Sequence, residues 1–291
     1  LGKPYFPKLL SGLPHTPATG PRLLAPPGED AERIRHALVA AALEQVAGHR
    51  LSSWHVAFPA DHEVELLRSH GLLVSHNVQF HWRNHGYGDF TDFLATFNAE
   101  RRRKVRAERR RVAESGLSIE VRYGDTMDPA EWPALHHLYA ATFAKYGNYA
   151  AFTPASFADL ASALGRRMVV FIARERGDPV AISICFRSDD TLYGRYWGTA
   201  ANYHSLHFEL CFYQGIDYCL RERLSTFEPG AGGEHKVARG FEPTVVRCCH
   251  WIADARMRHL LDQHLDRQRP AILAYAEEAA SHLPFRKVSG P

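Results

Sequence analysis

Nine consecutive residues, Glu228-Pro-Gly-Ala-Gly-Gly-Glu234-His235-Lys236, bring two carboxylates, an imidazole, an ammonium and three glycines together. Attack of an amine on an ester or thioester needs a base for the leaving proton, donors for the developing oxyanion and a donor for the leaving group. This stretch holds all of those types. Its glycines let the backbone approach a ligand closely, and the Lys236 cation can stabilise a tetrahedral oxyanion or a donor phosphate. Glu234 and His235 are each a candidate base or a cap for the helical turn that follows. Glu228 and Arg239 are candidate substrate contacts, the alternative for Arg239 being a solvated helix end before Gly240. Upstream, His207 and Glu209 sit on one helical segment and are the other catalytic candidates, each weighed against an ordinary hydrogen-bonded partner on a half-buried helix. Tyr196 and Trp197, on a strand, are candidate acceptor contacts or core aromatics. A Cys211 nucleophile with His207 one turn earlier is a further pairing, set against a buried, inert thiol.

The elements that must position these groups follow from periodicity. Apolar residues recur at helical spacing over 31–48, and the run stops at Gly48. Residues 53–58 read as a strand, 61–68 as a helix and 72–82 as a second strand. Phe90, Phe93, Leu94 and Phe97 form an apolar stripe, after which Asn98 caps a helix that runs to Gly116. Then come a strand over 117–123, helices over 129–145 and 154–165 with proline near their starts, and a meander of strands over 168–174, 179–187 and 191–198. An amphipathic helix over 206–223, a short strand over 225–229, a helical turn over 234–239 and a strand over 245–252 complete the series. Residues 1–28 carry seven prolines and read as loops with one edge strand. Residues 254–283 read as a helical hairpin or kinked helix broken at Pro270. The expected class is α/β (α+β), with mixed, mostly antiparallel sheets flanked by helices. The expected spans are a first unit over 1–87, a connecting basic helix over 88–116, a second unit over 117–253 and C-terminal helices over 254–291.

Eight of the eleven residues from Arg101 to Arg111 are basic, although the net charge is only +3. The readings are a solvated helix face, or phosphate recognition with Arg102, Arg103 and Arg106 as contacts. The helix lacks interleaved aromatics, which argues against base stacking. Hydrophobic content of 45% and charged content of 23% match ordinary globular chains, and no apolar run approaches the roughly 20 residues that span a bilayer. The five cysteines form no CxxC pair, as reduced thiols in a cytoplasmic protein would not need one. Eighteen histidines raise the question of a metal, but no HExxH or ligand-spaced cluster appears and none is expected.

The element order over 117–252 resembles that of a GNAT acyltransferase domain, and the first 85 or so residues resemble the second half of another. Two such units joined by a helix bearing FNAERRRKVRAERRRV, with FEPGAGGEHKVARGFEP late in the second, resemble the FemAB-like family, whose members are often labelled peptidoglycan-related N-acyltransferases. The resemblance covers about residues 5 to 283. It implies transfer of an acyl or aminoacyl group from acyl-CoA or aminoacyl-tRNA to an amine acceptor, a small molecule or peptide, with no tightly bound cofactor. It also implies a functional role for Lys236 and further N-terminal residues completing the first unit. The glycine-rich pyrophosphate turn of acetyl-CoA enzymes is replaced here by Thr199-Ala-Ala-Asn-Tyr-His204-Ser205. The helix start at His204, Ser205 and Leu206 still offers backbone donors to an anion. The remaining alternatives are an acyl-CoA or acyl-carrier-protein enzyme for a small amine, and a non-catalytic protein that holds RNA or another anion on the basic helix.

Overall fold

The structure, a computed structural model, describes residues 5–286. The described chain forms two compact units, one from the residues up to Gln79 with Pro243–Ser281, the other from Phe80–Glu242 with the residues after Ser281. The division is discontinuous in sequence, unlike the four consecutive spans expected, because a late strand pairs with an early one. Residues 1–4 and 287–291, the ends of the first and last expected spans, lie outside the described residues.

In the first unit, β1 (Leu9–Ser11) runs parallel to β2 (Ser53–Ala57), and β2 pairs antiparallel with the far part of β9 (Glu242–Ile252). The alternation of β2 puts Trp54 and Val56 on one face, where they pack with Cys249 of β9, Val39 and Val46 of α1 (Ala31–Gly48) and Val64 and Leu67 of α2 (Asp61–Ser69). Glu63, fully buried in the first turn of α2, accepts backbone N–H groups of Arg22 and Leu23 at 2.7–3.0 Å, so the proline-rich start is fastened by a carboxylate. β3 (Leu73–Arg83) begins in this unit and ends in the other.

The second unit opens with α3 (Phe90–Ala95) and α4 (Ala99–Ala113), the latter capped by the Asn98 side chain, which accepts the Arg101 N–H as the sequence predicts. Then come β4 (Ser118–Tyr123), α5 (Trp132–Lys145), α6 (Pro154–Leu164) and the antiparallel meander β5 (Met168–Glu175), β6 (Asp178–Arg187) and β7 (Thr191–Thr199). β8 (Thr226–Glu228) runs parallel to β7, and the end of β3 pairs antiparallel with β8. Every strand of this part was legible as a strand. The core on the α5 and α6 face is built from Leu135, Leu138, Tyr139, Phe157, Val170, Ile182 and Tyr196, among others.

Two elements differ from expectation. The amphipathic segment predicted as one α-helix over 206–223 contains a wide π turn: α7 (Leu206–Phe208), the π turn (Glu209–Tyr213) and α8 (Gln214–Arg221) follow without a break. Such an insertion rotates the residues before it relative to those after, which hydrophobic periodicity does not register. The C-terminal segment is neither a hairpin nor broken at Pro270: α9 runs unbroken from Ala255 to Ser281 with Pro270 inside. Ala279 is its one buried residue, so the carbonyl that loses its donor at Pro270 is open to water.

Candidate active site

The parallel pair of β7 and β8 is short: its register ends at Tyr193 opposite Glu228. Beyond it β7 continues to Thr199 while the other chain turns away through Pro229 and Gly230, and a cavity of about 230 Å³ opens there. Its walls are Gly194, Arg195 and Trp197 of β7, Ser183 of β6, His207, Cys211 and Phe212 of the helix, and the loop from Pro229 to Lys236. Two local features shape it. A β-carbon on Gly194 would stand 3.1 Å from the Pro229 Cα, so glycine is what lets the two chains approach before they part. The β6–β7 register slips between Ile184 and Cys185, which leaves Arg195 as an extra, bulged residue at the cavity wall. The Arg195 Nε is buried with no hydrogen-bond partner.

Lys236 is buried, 4% exposed, and donates from Nζ to the Gly230 carbonyl at 2.6 Å. Removal from water pushes its pKa down to about 8, because burial penalises the ammonium. The positive φ of Gly230, Gly232 and Gly233 folds the loop back so that the lysine can reach its own upstream carbonyl. His235 and His207 line the same cavity, their ring centroids 6.3 Å apart. His207 lies edge-on to Trp197 and Phe212. Burial, aided by the charges of Arg239 and Lys236 beside it, holds its pKa down to about 4, so the ring is neutral at pH 7. His235 is lowered for the same reasons.

The structure divides the other candidates. Trp197 and Tyr196 both line the cavity, and the Tyr196 ring packs with Tyr139 and Phe157 in the core. Glu234 is exposed and Glu228 half-buried, and neither lines the cavity. Arg239 is 5% exposed and committed: its Nη2 donates to both carboxylate oxygens of Glu108 of α4 at 2.8 and 3.0 Å, its Nε to the Tyr213 hydroxyl at 3.0 Å and its Nη1 to the His235 carbonyl at 2.9 Å, and the guanidinium stacks over Phe208. It therefore holds the His235–Lys236 turn in place. Glu209 turns away from Lys236. Its carboxylate takes Gln214 Nε2 at 2.8 Å and pairs with Arg109, while Oε2 is buried with no partner. Burial raises its pKa. The Cys211 thiol reaches the cavity, but burial pushes its pKa far up, so no thiolate nucleophile is available at neutral pH.

On α4, Arg103 and Arg106 face solvent, and Arg102 is half-buried with its guanidinium toward the Phe97 carbonyl. Arg111 reaches His204 Nδ1 at 3.0 Å and Ser205 Oγ at 3.4 Å, placing a cation at the helix start where anion binding was expected, with Leu206 buried behind it. Glu108, Tyr213, Ser183 and the Arg195 bulge were not singled out from sequence. Glu108 was hidden because a lone carboxylate in a basic run reads as a solvated partner. Among the described residues no cluster of His, Cys, Asp and Glu could hold a metal ion, and no helix is long and apolar enough to cross a membrane.

The profile of the FemAB-like family, described as peptidoglycan biosynthesis/recognition, matches residues 1–287. No curated protein matches the sequence. Among solved structures, the C-terminal domain of a putative lysylphosphatidylglycerol synthetase from Agrobacterium fabrum is similar over 82% of this chain and 78% of its own, at 14% identity and a TM-score of 0.57. L-PGS from Bacillus licheniformis is similar over 81% and 79%, at 9% identity and 0.56. FemX is similar over 79% of each chain, at 10% identity and 0.54. At these identities the likeness is one of fold.

Proposed function

Because the chain belongs to the FemAB-like family, we propose that it is a transferase that moves an acyl or aminoacyl group from an activated donor to an amine, with the cavity beside Lys236 as its reaction site. The observation that carries this reading is the buried Lys236 ammonium, held on the Gly230 carbonyl at the point where β7 and β8 part. An ammonium removed from water meets a developing oxyanion with little screening, and its donors need no reorganisation when the charge appears. His235, neutral and partly open to solvent, is placed to take the proton of the attacking amine and pass it outward. Trp197 and His207 form the apolar wall against which the acyl group lies. Aminoacyl-tRNA is the favoured donor, since Arg103 and Arg106 present free charge on α4 for phosphates. The amine acceptor is a small molecule or peptide such as a peptidoglycan precursor.

The test is turnover of aminoacyl-tRNA and of acyl-CoA with a lysine-containing peptide, comparing the unaltered protein with Lys236→Ala. Loss of one oxyanion donor costs on the order of 100-fold in rate, and the variant keeps its circular dichroism spectrum and melting behaviour because removing a buried charge does not unfold the loop. Unchanged turnover in Lys236→Ala would remove this assignment. Binding of RNA that survives Lys236→Ala and is lost on reversing Arg103 and Arg106, with no turnover of either donor, would instead establish the non-catalytic reading.

A further inference from the structure

The cavity beside Lys236 draws its walls from both faces of the sheet. Adjacent residues of a strand point to opposite sides: the Trp197 ring meets His207 of the helix, 5.1 Å between centroids, whereas the Tyr196 ring meets Tyr139 of α5, also at 5.1 Å. Trp197 and His207, the acyl wall of the proposed reaction, therefore occupy the helix side. The α5 side is left for the second reactant. Arg195 stands there, its guanidinium carbon 4.5 Å from the Tyr196 ring centre, and lines the cavity together with that ring.

Nothing in the chain balances this arginine. It is the bulged residue of β7, with no residue opposite it on β6. It is half-buried, and its Nε is buried with no hydrogen-bond partner. Among the described residues no carboxylate pairs with it, and none lines the cavity, whose charged side chains are Arg195 and Lys236. By contrast Arg109, Arg174, Arg187 and Arg239, also drawn out of water in this unit, each hold a carboxylate. Withdrawing a guanidinium from water without a counter-charge costs free energy, which stacking on one ring offsets only in part. The Nε–H is one arm of the planar fork by which arginine grips a carboxylate through two parallel N–H bonds. The absent counter-charge is therefore expected from a ligand. At about 230 Å³ the space is small beside the roughly 300–1,000 Å³ of drug-sized sites, which suits a group the size of an amino acid.

We propose that the amine acceptor carries a carboxylate, as a free amino acid or the terminal residue of a peptide does, and that Arg195 receives this carboxylate while the amine turns to His235. The inference rests on the transferase reading of the cavity and names the acceptor class, and binding tests it without turnover. The experiment is calorimetric titration of the full chain with the straight-chain amino acids from glycine to 6-aminohexanoate, each beside its primary amide, which keeps the amine and removes the anion. The expected result is saturable binding of at least one acid, on the order of ten-fold tighter than its amide. Arg195→Gln is expected to abolish that preference, and Lys236→Ala to retain it. Arg195→Lys, which keeps the charge without the planar fork, takes the place of Arg195→Gln if that variant loses its cooperative melting, and is expected to lose most of the preference. A series in which no acid binds better than its amide, a preference that survives substitution of Arg195, or one that vanishes in Lys236→Ala would each overturn the proposal. Turnover that is lost in Lys236→Ala, with no acid preferred, would sink this inference and leave the transferase reading intact. An Arg195-dependent preference without any turnover would keep the carboxylate site and sink the transferase reading.

Discussion

Each unit holds a pair of histidines with lowered pKa, and the pairs differ in their surroundings. His55 and His250 are locked to each other and capped by Ser53 and Ser75, so every ring nitrogen has a partner and the rings form a wall. His207 and His235 have no such lock. They sit among aromatic rings beside Lys236 and Arg239, where their free nitrogens face a cavity. Burial lowers the pKa of all four, yet only in the second unit is a cation kept out of water next to them. A lowered pKa is therefore common to both places, and the company each ring keeps is what distinguishes them.

The largest effect should come from removing the brace of the second pair. Arg239→Ala leaves the Glu108 carboxylate buried without its partner, and breaking a buried ion pair in this way costs about 3–5 kcal/mol. Hydrogen exchange should show opening of the second unit, centred on Glu234–Arg239, while the Ser53–Ala57 amides keep their protection. Equal loss in both units would erase the distinction.

Acid should affect both units, with the same sign. His81, His207 and His250 have folded pKa values of about 4 against an ordinary value of about 6.5. Between those values the unfolded chain binds more protons than the folded one, so stability rises with pH across that window and is lost as pH falls through it. The slope approaches about 1.4 kcal/mol per pH unit for each such histidine. Lowered histidines lie in both units, His55, His76 and His250 in the first and His81, His207 and His235 in the second, so the exchange-measured stability of each should fall between pH 6.5 and 4. A stability that stays flat in the first unit across this window would contradict the assigned burial.

Ser75→Ala removes one end of the His55–His250 chain and leaves a ring nitrogen unpaired, for which a loss of about 1 kcal/mol is expected in urea unfolding of the first unit. The smallest effect concerns Glu209. Because its carboxylate faces Arg109 and Gln214 rather than Lys236, Glu209→Gln should change turnover by less than about 3-fold, well short of the roughly 100-fold expected at Lys236. A loss as large as that of Lys236→Ala would return Glu209 to the reaction site.

Element order, the strand and helix types, the Asn98 cap and the glycine loop leading to Lys236 were legible in the sequence, because each depends on local periodicity or on the conformational reach of one residue type. The resemblance carried by FEPGAGGEHKVARGFEP pointed to the FemAB-like family for the same reason: the motif is contiguous. What depended on distance in the chain was not legible. Glu209 pairs with Arg109, 100 residues earlier, on the side of the helix away from His207, which lines the cavity. Arg239 looked like a ligand contact until Glu108, 131 residues earlier, was found against it. His55 and His250 come together only because β9 returns to pair with β2. Pro270 looked like a break, and the exposure of α9 removed its consequence. Local sequence determines which backbone shape each segment prefers. Which side chains share a cavity, and so which charges lose their water, is decided by strand pairing and packing between segments far apart in the chain.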